Sequence, residues 1–384
     1  MRVLFTSLSG LGHVHPMLPL ALALQVRGHE VRWAVAAQTC SRIEQAGIRA
    51  IAAGLDFSPG VEEYRRRYPE AAALPREERR AHAFLKLFGE INTPPMIADL
   101  LLIVQKWRPD LVVHDAAELA APIAASSAGV PHVTHSYGAV IPPQIVAAVG
   151  EEVAQLWRST GLGPRQFGGS YDHLYLDIYP PSMQSADMTH IPWRQALRPV
   201  AFDAVGDEGL LSELVQESDR PLVYLTFGTR FNDNPTFHAA VEAIREFDVQ
   251  LLVTVGPSGD PAAFGPQPVH VRVERYVPQT LVLDRCDVVA SHAGSGTLLA
   301  ALARGIPQLC LPQGGDQFGN AASCAQVGAG LSLRPEEADR NAISNALKRL
   351  LADPSFRRSA ATVATEIEGM PSPEQVAGVV EVLA

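Results

Sequence analysis

The stretch Asp287 to Gln317, DVVASHAGSGTLLAALARGIPQLCLPQGGDQ, constrains the fold more than any other part of the chain. A buried strand ends at Ser291. A glycine turn follows with His292, Gly294, Ser295, Gly296 and Thr297. A short apolar helix then stops at Gly305, and a second strand, Gln308 to Leu311, runs into a loop holding Asp316 and Gln317. Strand, helix and strand in that order build a parallel sheet with helices on its faces. The glycine turn opening a helix leaves backbone N–H groups free to meet an anion, and the absence of a Cβ lets the anion come close. Asp316 and Gln317, on the loop after the second strand, could hold what the phosphate carries. The segment therefore suggests a nucleotide-linked ligand.

The alternation occurs twice. Val3 to Thr6 reads as a strand, Val14 to Arg27 as a helix with Pro16 and Pro19 near its start, and Glu30 to Val35 as a strand. Thr39 to Ala46 reads as helix and Ile48 to Ala52 as extended. Pro59 to Lys106 breaks the rhythm with helices of mixed charge. It resumes with the strand Asp110 to His114, a helix Ala116 to Ser127, the strand Pro131 to His135, a helix Pro142 to Thr160 and the strand Leu174 to Tyr179. Pro199 to Asp219 has weak periodicity and many acids. A fresh series starts with the strand Leu222 to Phe227, and helices follow at Pro335–Leu351, Pro354–Glu368 and Pro373–Leu383. The chain has 384 residues, enough for two or three domains at roughly 150 residues each. The expected fold class is α/β, with two doubly wound Rossmann-like domains facing a central cleft. Residues 1–205 form the first domain, 206–219 the linker and 220–369 the second.

Composition narrows the class. Hydrophobic residues make up 47% and charged residues 19%, which fits a globular enzyme. A net charge of −10 argues against nucleic acid or an anionic membrane as partner. The four cysteines are scattered, so they read as reduced and the chain as cytoplasmic. No uncharged apolar run approaches about 18 residues, so no membrane span is expected. The close histidine pairs His13/His15 and His132/His135 lack the further ligands of a zinc site, so no metal is expected.

Ser9 to Pro16, SGLGHVHP, fails the G-x-G-x-x-G dinucleotide pattern because position 15 is histidine. It leaves His13 at a helix start, where a neutral imidazole can take a proton from a hydroxyl or simply cap the helix. Asp115 follows the strand to His114 at the same sheet edge. It can orient His13 or N-cap the next helix. Thr229 and Arg230 follow the first strand of the second series, as phosphate ligands or as plain loop residues. Val277 to Gln279 can meet a base through its backbone. His292, beside the glycine turn, can neutralise a diphosphate. Asp316 and Gln317 can bind sugar hydroxyls or cap the helix from Gln317.

With these residues in place the chain resembles the GT-B glycosyltransferases of family 1, and most of all the bacterial branch that glycosylates natural products such as macrolides and enediynes. The resemblance rests on Gly12-His13-x-x-Pro16, Gly28-His29-Glu30-Val31 and Arg108-Pro109-Asp110 through Asp115. It continues in Thr226-Phe227-Gly228-Thr229, Val277-Pro278-Gln279, Ser291 to Thr297, and Gly315-Asp316-Gln317 with Asn320-Ala321. It implies inverting transfer from a dTDP- or UDP-sugar, the only co-substrate, with no cofactor or metal, to a hydroxyl of a small, largely apolar acceptor. His13 is then the base and Asp115 its orienter. Gly12, Thr229, Arg230, Val277, Gln279, His292, Gly294, Ser295, Gly296, Thr297, Asp316 and Gln317 bind the donor. Phe84, Phe88, Met96 and Ile145 are candidates to line the acceptor site. The last helix, about 370–384, packs back on the first domain. The family departs here at Ser291 and Ala293, where many members have His and Gly. A sugar-nucleotide epimerase, a lipid-linked sugar transferase and a non-catalytic helper are the alternatives, and a homodimer is left open.

Overall fold

A computed structural model describes residues 1–185, 187–202, 218–228, 234–257 and 259–384. These form two compact units. One comprises Met1–Ile178, Ser185–Arg198 and Pro371–Ala384; the other comprises Tyr179–Gln184 and Pro199–Met370. The linker expected at 206–219 falls largely outside the described residues, as do Thr229 and Arg230.

The first unit holds a seven-stranded sheet of β1 (Arg2–Thr6), β2 (Glu30–Val35), β3 (Arg49–Ala52), β4 (Leu111–Asp115), β5 (His132–His135), β6 (Leu174–Asp177) and β7 (Arg194–Ala196). Their order is β3-β2-β1-β4-β5-β6-β7 and every pairing is parallel. β1 and β4 each hold an apolar run, Val3–Phe5 and Leu111–Val113, as strands covered on both faces do. Their register pairs Val3 with Leu111 and Thr6 with His114. The direction of strand progression reverses between β1 and β4, and that switch opens a crevice at the carboxyl ends of these two strands.

The second unit repeats the plan with β8 (Leu222–Thr226), β9 (Gln250–Thr254), β10 (Val271–Glu274), β11 (Val288–Ser291), β12 (Gln308–Cys310) and β13 (Gly330–Ser332). The order is β10-β9-β8-β11-β12-β13, again parallel in every pairing. Its switch lies between β8 and β11, so the glycine turn after Ser291 sits at the crevice. Val223, Leu225, Leu251, Val253, Val288 and Leu309 are core residues of this sheet.

Several helices differ from the sequence expectation. The helix expected at Ala116–Ser127 begins at Ala121. The one expected at Pro142–Thr160 is two helices, Pro143–Glu152 and Ala154–Ser159, divided at Val153. The one expected from Val14 starts earlier, as one turn at Leu11–Val14, a 3₁₀ turn at His15–Met17 and a helix at Leu18–Val26. Pro16 and Pro19 supply no N–H, which suits such a break in register. The irregular stretch expected after Pro59 contains a 30-residue helical segment, Glu78–Trp107. By length and composition it could cross a membrane, and half of its apolar window is buried in the first unit. Its middle, Phe84–Asn92, is a widened π-helix. Pro94 and Pro95 lack N–H groups there, and the Thr93 hydroxyl donates to the Phe88 carbonyl at 2.6 Å. The last helix, Pro373–Glu381, packs on Leu18–Val26, and Glu381 accepts from Arg27 Nε and His29 Nε2, each at 2.6 Å.

Candidate functional site

At the switch of the first unit, the chain leaves β1, turns at Gly10 and opens the short helix that carries His13. A Cβ on Gly10 would lie 3.1 Å from the His13 ring, so glycine allows the backbone to pass against the imidazole. Asp115, the last residue of β4, is fully buried. Its Oδ1 is 3.2 Å from His13 Nδ1 and accepts from the Ala117 N–H at 2.7 Å, while Oδ2 accepts from the Leu8 N–H at 3.0 Å. Burial by itself would raise the Asp115 carboxyl, but the neighbouring imidazole and these donors outweigh it and hold the group below its ordinary value. An ionised carboxylate can only accept. Nδ1 therefore carries a proton, and in the neutral imidazole the lone pair belongs to Nε2. The His13 side chain is 15% exposed, so the ring reaches solvent.

Asp115 does not cap a helix, as one reading of the sequence had it. It closes the turn to Ala117, and the helix starts six residues on. The helix start is met instead by Glu118, whose carboxyl group accepts from the Ala120 N–H at 2.8 Å and from the Ala121 N–H and Thr6 hydroxyl, each at 3.2 Å. Burial pushes Glu118 up to about 8.

Two aromatic rings meet His13. Tyr137, just beyond β5, has its centroid 4.6 Å from the imidazole, and Phe88, from the π-helix, lies at 6.1 Å edge-on. Of the four residues proposed to line an acceptor site, the structure brings Phe88 to His13. Phe84 and Met96 are buried in the core of the unit, and Ile145 packs at the edge of that core. Tyr137 was missed. Gly12 lies in the short helix with open space around it.

In the second unit the turn after β11 is held from several sides. Ala293 adopts φ +60°, a left-handed conformation that costs a non-glycine residue about 1 kcal/mol. Its N–H donates to Ser291 Oγ at 3.0 Å, so Ser291 fastens the turn. His292 is half-buried and packs between two glycines. A Cβ on Gly228 would approach its ring to 3.0 Å and one on Gly294 to 2.6 Å. Burial lowers this imidazole to about 4, while the nearby Asp316 and a hydrogen bond to the Thr226 backbone oppose the shift. His292 is thus neutral at pH 7, and a charge for a diphosphate would have to be gained on binding.

The helix Ser295–Leu302 has no side-chain cap, and its first N–H groups lack intrahelical partners. The Ser295 hydroxyl donates to Asp316 Oδ2 at 2.7 Å and the Thr297 hydroxyl to Gln279 Oε1 at 2.9 Å. Ser295 and Thr297 therefore offer an anion their backbone N–H groups. Val277 is buried in the core, and Tyr276 beside it is 53% exposed. Neither Asp316 nor Gln317 caps the following helix through its side chain. Gln317 Oε1 instead accepts from the Gln313 and Gly314 N–H groups at 2.8 and 2.9 Å, shaping the loop before it. Among the described residues, no three or more His, Cys, Asp or Glu gather in a position to hold a metal ion.

Two Rossmann-like sheets, each with a histidine at its switch point, define a GT-B glycosyltransferase. The chain belongs to the erythromycin biosynthesis protein CIII-like family. The family's N-terminal domain matches residues 22–194 and its C-terminal domain residues 238–383. It is 33% identical to the L-demethylnoviosyl transferase of Streptomyces niveus over 98% of this chain and 97% of that protein. Among solved structures it is similar to the spinosyn rhamnosyltransferase SpnG, with a TM-score of 0.83, 26% identity and all of both chains covered. The glycosyltransferase VinC, solved in complex with dTDP, gives a TM-score of 0.81 at 27% identity, covering 100% of this chain and 99% of VinC. The chain is a bacterial natural-product glycosyltransferase.

Proposed function

We propose that this enzyme transfers a sugar, with inversion, from a dTDP- or UDP-sugar to a hydroxyl of a small, largely apolar natural product. The observation that carries the reading is the His13–Asp115 pair, with Nδ1 tied to a buried carboxylate and Nε2 assigned as the base. Nε2 takes the acceptor's hydroxyl proton as its oxygen forms the bond to the anomeric carbon. The bond from that carbon to the diphosphate breaks and its electron pair leaves with the nucleotide. One displacement inverts the centre. Asp115 stabilises the imidazolium that forms. Tyr137 and Phe88 give the base apolar aromatic surroundings that suit an apolar acceptor.

The leaving group's charge is assigned to the first N–H groups of the helix Ser295–Leu302 and to His292, so the reading uses no metal. Asp316 and Gln317 hold the sugar, while the backbone at Val277 and the exposed ring of Tyr276 flank the base. Four unpaired cysteines support a cytoplasmic setting.

Because His292 is neutral in the free protein, nucleotide binding should take up a proton. Calorimetric titration with dTDP near pH 7 should then give an enthalpy that varies with the buffer's ionisation enthalpy. His292→Ala should abolish that variation and weaken dTDP roughly tenfold or more, the worth of one charge-assisted hydrogen bond. Equal dTDP affinity in wild type and variant would remove His292 from the donor site. Absence of dTDP and UDP binding by the wild type would sink the reading as a whole.

A further inference from the structure

Asn320 lies on the helix Gln317–Gln326, three residues past Gln317, and is fully buried. A buried primary amide brings two N–H donors and an acceptor oxygen, and each left unpaired costs on the order of 1–3 kcal/mol. Here both ends are engaged. Nδ2 is 3.0 Å from the Ala293 carbonyl, 3.0 Å from Ser295 Oγ and 2.9 Å from Asp316 Oδ2. Oδ1 accepts the hydroxyl proton of Tyr179 at 3.0 Å. A carbonyl and a carboxylate only accept, so the nitrogen must face the glycine turn and the oxygen must face Tyr179. Tyr179 is itself buried, in the segment Tyr179–Gln184 of the same unit.

This amide joins two parts of the donor half that the sequence treats separately. One is the strained turn at Ala293. The other is the Asp316 carboxylate, whose Oδ2 takes protons from both Asn320 and Ser295. With two donors on one oxygen, the carboxylate cannot rotate without breaking both bonds. None of the described hydrogen bonds falls on Oδ1, which suits an incoming hydroxyl.

We infer that Asn320, braced by Tyr179, is a positioning residue for the donor sugar, fixing Asp316 in the one orientation that meets the sugar's hydroxyls. The inference rests on the donor site proposed above. Removing the amide should loosen Asp316, which keeps only Ser295. The turn should keep its shape, because Ser291 still holds the Ala293 N–H. The two substitutions considered are Asn320→Ala and Tyr179→Phe. The second keeps the ring and leaves Asn320 Oδ1 unpaired, so it acts on the same network with less disruption.

The test compares calorimetric affinities for dTDP and dTDP-glucose in wild type and both variants. Asn320→Ala should weaken dTDP-glucose roughly tenfold or more while dTDP shifts by less than about threefold, since about 1.4 kcal/mol is lost only when the sugar is present. Tyr179→Phe should shift the same ratio in the same direction, by a smaller factor. An equal loss for both ligands would mean that Asn320 only supports the turn, and would overturn the inference. So would unchanged affinity for both. If Asn320→Ala does not fold, Tyr179→Phe decides by the same ratio. A wild type that binds neither ligand refutes the donor site itself, and this inference with it; a wild type that binds both while the variants leave the ratio unchanged refutes the inference alone.

Discussion

Replacing His13 with alanine should lower sugar transfer by about 10²- to 10⁴-fold, the range for loss of a positioned general base. The affinity for dTDP should stay within about twofold, since the group's contribution falls on the transition state and not on donor binding. The reason lies in the tautomer. Asp115 accepts from His13 Nδ1, Ala117 and Leu8, so it has no proton to give, and the neutral imidazole's lone pair belongs to Nε2. Asp115→Asn should cost a similar factor without touching the donor half. An amide carries no charge to stabilise an imidazolium, and its NH₂ cannot accept from the N–H groups of Leu8 or Ala117. Initial rates of nucleotide release at saturating donor separate these outcomes. Unimpaired turnover in His13→Ala would remove the base from the scheme.

The second large effect is on stability in acid. His114 and His135 are each lowered to about 4 by burial, His132 falls well below its ordinary value for the same reason, and His292 is lowered to about 4. The folded state therefore refuses protons that the unfolded chain accepts below about 6.5. Stability from these four is intact above that pH and is lost as pH falls from about 6.5 toward 4. Each such group costs about 1.4 kcal/mol per pH unit once the unfolded histidines are charged. Glu118 works in the opposite direction, because its folded value is raised to about 8. Its stabilisation is complete below the ordinary carboxyl range and is lost as pH rises toward 8. It cancels one of the four on the acid side, leaving a net uptake of about three protons on unfolding, or about 4 kcal/mol per pH unit. That rate consumes a typical stability of about 5–15 kcal/mol within a few pH units. Asp115, held low, adds its own loss only at still lower pH. Urea unfolding across pH 4.5 to 8 should show a maximum near pH 6.5, a steep acid side and a shallow decline above it. A flat profile between pH 5 and 6.5 would contradict the burial of these imidazoles.

Much of this was legible in the sequence because it depends on periodicity and glycine placement. The strand–helix alternation around the glycine turn, and around His13 and Asp115, follows from apolar runs feeding helices. The sequence did not show which hydrogen bonds the polar residues would choose. Asp115 and Glu118 stand three apart, and only folding decided that Glu118 meets the helix start while Asp115 faces His13. Asn320 was visible as part of a motif, but its role depends on Ala293, 27 residues away, and Tyr179, 141 residues away. Tyr137 gave no signal of its own, since an aromatic after a strand is ordinary until a histidine is placed beside it. Ser295 and Thr297 are expected donor-binding residues, and only the structure shows that their hydroxyls are spent on Asp316 and Gln279. The π-helix that carries Phe88 to His13 depends on a main-chain register that composition does not encode.

The most direct test of the account is acceptor-dependent transfer by the wild-type enzyme. A panel of dTDP- and UDP-sugars, with polyketide-type aglycones bearing free hydroxyls, would be incubated with the protein and with His13→Ala. Products would be read by mass and by the anomeric configuration of the new linkage. The account predicts nucleotide release only when an acceptor is present, a glycoside whose anomeric centre is inverted relative to the donor, and loss of that product in the variant. A product that retains the donor's configuration, or forms equally well without His13, would contradict it.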